Sequence, residues 1–81
     1  IISNRYETIS KAILFELHRG CTEISAKGSY SGETRPMLMC VMGRSETTKL
    51  KDIVAELDPD AIVVIAEVHE VFGEGFRSLE A

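Results

Sequence analysis

Apolar and polar positions follow three different rhythms along this 81-residue chain. The first is helical: Tyr6, Ile9, Ala12, Ile13, Phe15 and Leu17 supply apolar positions, several at helical spacing. Ser3 or Asn4 is expected to cap this helix, with Glu7 placed for a capping box from Asn4. His18 and Arg19 fall in the last turn, where cations suit the carbonyl end, and Gly20 is expected to close the helix in a left-handed conformation. The second rhythm is strict alternation. Thr22, Ile24 and Ala26 interleave with Glu23, Ser25 and Lys27, which predicts a strand with one wet face. The third is an apolar run that covers both faces over most of its length. Residues 37–42 and 61–68 (AIVVIAEV) predict strands covered on both faces. Pro36 suits the start of the earlier one, where no ladder donor is needed.

Between these runs, residues 28–35 (GSYSGETR) form a turn-rich loop. A second helix is expected after Arg44, capped by Ser45, with Glu46 in its first turn. Leu50, Ile53, Val54 and Leu57 make its apolar face, opposite Lys49, Lys51, Asp52 and Glu56. Asp58-Pro59-Asp60 stops it. Ile1 and Ile2 read as the end of a strand that begins further upstream, so the chain is expected to be an excised domain. The order is then strand, helix, strand, strand, helix, strand. Right-handed crossovers give an α+β, ferredoxin-like two-layer sandwich, with two helices on one face of a four-stranded antiparallel sheet. The other face would be bare although its strands are apolar on both sides, so a second copy or a neighbouring domain is expected to cover it.

Composition narrows the function. A hydrophobic content of 44% with two prolines fits a folded chain, and 81 residues make one small domain. A net charge of −4 offers no basic excess to displace counterions, so nucleic acid is not an expected partner. No apolar run approaches the ~20 residues that cross a bilayer, and no signal-peptide pattern is present. Two cysteines, Cys21 and Cys40, are too few for a secreted disulfide scaffold and suggest a reducing, cytosolic setting.

Candidate chemistry is sparse. Arg35 and Arg44 flank an apolar strand, and Arg44 precedes a helix start, so backbone donors and a guanidinium could together hold an anion there, or the two arginines could simply be solvated. Tyr30 could stack on a ligand ring or anchor its own loop. His69-Glu70 opens like a zinc-protease helix but lacks the second histidine. His69 is then a ligand contact, a pH-sensitive group, or the mark of a strand end. His18, Cys21, Cys40 and His69 match no common zinc spacing, and Gly73-Glu74-Gly75 is no dinucleotide fingerprint. No catalytic residue, metal or cofactor is assigned, and the chain is not expected to be an enzyme.

Four segments carry a resemblance over nearly the whole chain: LHRGCT from Leu17, GSYSGE from Gly28, LDPDA from Leu57 and HEVFGEGF from His69. Together they resemble the C-terminal cytosolic domain of YitT-type bacterial membrane proteins, which is similar in fold to PII-like trimeric sensors. The resemblance implies a multi-span membrane portion before Ile1, a position on the cytoplasmic side of the membrane, and a homotrimer with small ligands between subunits. Carried onto this chain, it marks Gly28, Tyr30, Ser31, Gly32, Arg35, Arg44, His69, Gly73, Gly75 and Phe76 as ligand contacts. The loop over residues 28–35 is far shorter than the docking loop of true PII proteins, and two carboxylates at Asp58 and Asp60 would repel phosphate, so ATP binding is not carried over. Two functions follow. One is a regulatory domain sensing a small anionic metabolite or nucleotide. The other is a passive homo-oligomerisation domain without a ligand.

Overall fold

The structure is a computed structural model that describes residues 1–73. Its elements are α1 (Tyr6–Leu17), β1 (Thr22–Lys27), β2 (Thr34–Met39), a single 3₁₀ turn (Arg44–Glu46) and α2 (Thr47–Leu57). β1 and β2 form an antiparallel hairpin in which Thr22 faces Met39 and Lys27 faces Thr34. On the other side of β2, Ile1 exchanges backbone hydrogen bonds with Leu38 at 2.8 and 2.9 Å. Ile2 then exchanges a pair with Ile62, both at 2.9 Å. The hydrogen-bonded order is therefore β1, β2, Ile2, Ile62.

The strand expected over residues 61–68 is reduced to the bridge at Ile62. Beyond Ile62, Val64, Ile65 and Val68 are exposed and no ladder among the described residues pairs them. The other apolar strand is shifted three residues earlier, running over Thr34–Met39 with Pro36 inside it. Leu38 bonds toward Ile1, and residues two apart point their backbone groups the same way. The missing donor of Pro36 thus faces the side on which the chain has already turned away at Ser3, so the ladder loses nothing.

The core lies between the two helices and one side of β2. Ile9, Ile13, Leu38, Leu50 and Val54 form its buried cluster, and Ile53 is buried beside them on α2. The predicted face of α2 is the buried one. On α1, Ile9 and Ile13 are buried, while Phe15 lies on the outer surface.

The helix ends differ from expectation. His18, not Gly20, takes the left-handed conformation (φ 55°) and donates its N–H to the Leu14 carbonyl. No Asn4–Glu7 box forms at the start of α1. Ser3 is buried there, and its Oγ accepts the Arg5 N–H at 2.9 Å. At α2, Glu46 replaces Ser45: its carboxylate accepts the Gly43 N–H at 3.0 Å and holds Arg19 at 3.1 Å. This pairing keeps Glu46 below the usual carboxylate range, first through Arg19 and then through the Gly43 amide.

Candidate functional site

Directly opposed residues of an antiparallel pair share a face. Glu23 faces Leu38, which points into the core, so Glu23, Ser25 and Lys27 lie on the helix side of the sheet. Ile24 faces Met37 and Ala26 faces Arg35, so these residues, with Met39, point away from the helices. Ile2 and Ile62 continue that surface through their bridges. Val63 packs on the core, while Val64 is 79% exposed and Met39 51%. The outcome reverses the usual arrangement. β1 turns its polar residues toward the layer that holds the helices and its apolar ones toward the open side.

At one end of this open face is a cleft of about 260 Å³ lined by Ile2, Ser3, Asn4, Arg5, Arg35, Asp58, Asp60 and Ile62. It exists because the start of α1 and the end of α2 meet. Ser3 Oγ donates to Asp58 Oδ2 at 2.5 Å, and Asp58 Oδ1 accepts the Asp60 N–H at 3.0 Å. The Ser3 hydroxyl, more than the Asp60 amide or nearby Arg5, holds the Asp58 carboxyl below its usual range. Asp58 is therefore a structural anion whose two oxygens are already engaged. Arg35 lies across the mouth and donates from Nη1 to Asn4 Oδ1 at 2.8 Å. Two guanidiniums and two carboxylates thus edge the cleft, which suits a small ligand that presents an anionic group beside a donor.

Among the described residues marked from the sequence, Arg35 alone lines this cleft. Gly28, Ser31 and Gly32 build a tight loop instead. Gly28 N–H bonds the Glu33 carbonyl at 2.9 Å, Gly32 N–H bonds the Gly28 carbonyl at 2.8 Å, and Gly32 sits at φ 75°. A Cβ on Gly28 would come within 2.7 Å of Ser31 Oγ. Tyr30 is fully exposed at the loop tip, so its role as an anchor on its own domain is overturned. Arg44 does not join Arg35. It opens the 3₁₀ turn and pairs with Glu67, and both side chains are exposed. The expected anion site at the α2 start is taken by the Glu46 carboxylate. His69 is exposed in a segment outside any strand, and Gly73 is the last described residue, at φ 126°. Gly75 and Phe76 lie outside the described residues. In the sequence Ser3 and Asn4 read only as caps, and Arg5 belongs to no motif. The one signal for them was the apolar pair before them, which places residues 3–5 at a strand end beside the last loop.

A small α+β domain with a half-covered sheet can serve many proteins, and comparison with known ones settles its class. Residues 19–73 match the model of DUF2179, described as an uncharacterized protein conserved in bacteria. The chain belongs to this DUF2179 family. Its relatives are UPF0750 membrane proteins of the YitT family, as the sequence resemblance implied. It is 47% identical over 77 residues to the UPF0750 membrane protein YvjA of Bacillus subtilis (strain 168), covering 95% of this chain and 27% of that protein. To the UPF0750 membrane protein YitT of the same organism it is 34% identical over 73 residues, covering 90% of this chain and 26% of that one. It thus spans about a quarter of either relative. The crystal structure of an uncharacterized DUF2179 protein from Eubacterium ventriosum is similar, with a TM-score of 0.71 at 31% identity over 80% of this chain and 89% of that one. Among the described residues, no helix is long and apolar enough to cross a membrane.

Proposed function

We propose that this chain is the self-associating, ligand-sensing part of a membrane protein, placed on its cytoplasmic side. Copies meet on the open sheet face, and a small anionic metabolite binds in the cleft at its rim. The observation that carries this reading is shared membership: Ile2, Arg35 and Ile62 belong both to the open face and to the cleft. A copy covering the face would wall the cleft and couple occupancy to assembly. The direction of β1 supports burial of that face, since Ile24 and Ala26 would otherwise spend their apolar surface on water. Charge supports a second copy as the cover. The chain carries −4 overall, yet Arg35 is the one charged residue that the hairpin and bridges place on this face, so two copies meet over the strands without opposing carboxylates, and Asp58 and Asp60 stay at the rim. The order Ile62, Ile2, β2, β1 is the one a ferredoxin-like sheet requires, and a PII-like trimer is the assembly this reading favours. The domain acts by binding rather than by catalysis: of the two carboxylates that line the cleft, Asp58 has both oxygens engaged in holding the fold.

Sedimentation over a concentration series tests the assembly. A stable trimer that Met39→Asp dissociates is expected; a monomer at every concentration overturns the reading. Thermal-shift titration with small carboxylates, inorganic phosphate and nucleotides tests the ligand. A stabilisation lost in Arg35→Ala is expected. A stable trimer that no anion shifts would leave the passive assembly domain as the function, a reading favoured by the carboxylates that offset Arg5 and Arg35 in the cleft.

A further inference from the structure

Cys21 and Cys40 belong neither to the cleft nor to the open face. Thr22 faces Met39 in the hairpin, so the next step of the register sets Cys21 opposite Cys40. Both thiols are free and half-buried, and Cys21 lies close enough to act on the Cys40 thiol. Both also pack against the cluster formed by Ile9, Ile13, Leu38, Leu50 and Val54, which fixes them at one corner of the core. Facing residues of an antiparallel pair have Cα atoms about 4.5–5.5 Å apart, inside the ~4.4–6.8 Å that a disulfide spans. Closing the bond therefore asks for side-chain rotation rather than backbone movement.

We propose that Cys21 and Cys40 form a redox-sensitive clasp, closing to an intramolecular disulfide by exchange with a small-molecule disulfide of the glutathione class. In the first step the thiolate of one cysteine attacks a sulfur of the oxidant. A mixed disulfide forms, the oxidant's S–S bond breaks, and one small thiolate leaves. The second cysteine then gives its proton to solvent and attacks the protein sulfur of the mixed disulfide, expelling the second small thiolate. The protein loses two electrons and two protons, and the oxidant departs as two thiols. The order of attack follows from the surroundings. Burial, with help from the neighbouring Cys21, pushes the Cys40 thiol up to about 12, so Cys40 stays protonated at neutral pH. Cys21 opens the exchange, and Cys40 resolves it. Closure would tie the exit of α1 to the exit of β2, on either side of the hairpin.

The test is exposure of the 81-residue chain to a series of reduced and oxidised glutathione mixtures at neutral pH. The products are trapped by alkylation and read by intact mass. The expected product is a monomer lighter by two hydrogen atoms, free of glutathione and restored by dithiothreitol. In Cys40→Ser a glutathione adduct on Cys21 should accumulate, and Cys21→Ser should react at least about tenfold more slowly. The oxidised chain should show an unfolding constant on the order of 100-fold lower than the reduced one in urea. Adducts on both cysteines of the unaltered chain, covalent dimers, or intact thiols under conditions that oxidise a free dithiol peptide would each overturn the clasp. These outcomes are read on the unaltered chain, so a variant that folds poorly does not blur them.

Discussion

Leu38 and Met39 are similar side chains on the two faces of this sheet, and they live in different surroundings. On the helix side Leu38 is 2% exposed, closed over by Ile9, Ile13, Leu50 and Val54. On the other side its neighbour Met39 is 51% exposed. One residue step along β2 crosses from a finished core to an unfinished one. The lesson is that apolar character marks which surfaces are to be buried, while topology decides which of them a single copy can bury alone.

Four perturbations break or sharpen that contrast. Leu38→Ala should cost roughly 2–5 kcal/mol, because the helices hold the cavity open; urea unfolding at low concentration measures it, and a loss similar to that of Met39→Ala would abolish the contrast. Ser3→Ala should cost about 1 kcal/mol, since a buried hydroxyl links α1 to the α2 exit. The same substitution probes acid behaviour. Asp58 holds its proton less readily folded than its ordinary 3.8, so its contribution is present above about pH 4 and fades as pH falls through the folded value. Ser3→Ala should flatten that acid limb in a pH series of thermal melts. At the alkaline end, Cys40 runs the opposite way. Its thiol is raised from 9.0 to about 12, so stability is intact below pH 9 and declines as the unfolded chain ionises first, a decline that Cys40→Ala should reduce. Met39→Ala should be the mildest, within about 0.5 kcal/mol for the separated subunit. Its cost should grow with protein concentration if copies cover the open face.

Much of the architecture was legible because it rests on periodicity. The buried faces of both helices, the amphipathic β1 and the stop at Asp58-Pro59-Asp60 were all visible as spacing. What misled was local chemistry judged without its neighbours. Gly20 looked like the natural helix closer, yet His18 takes that conformation one residue after the helix ends. Ser45 looked like a cap, but Glu46 reaches both the Gly43 amide and Arg19, a pairing that spans 27 residues of chain. The candidate site was less legible still. Its cleft joins residues 2–5 to Arg35 and residues 58–62, three places that no local motif connects.

The placement of Ile1 and Ile2 also has a mechanical meaning. They lie between β2 and Ile62, bonded to Leu38 on one flank and to Ile62 on the other. Tension applied at the amino end would run along this short segment and load its backbone bonds on both flanks at once, in shear rather than bond by bond. Those same bonds tie Ile62 to the sheet, so release of the first residues would free the segment beyond α2 in the same event. A tug on one end of the chain would be felt at the cleft.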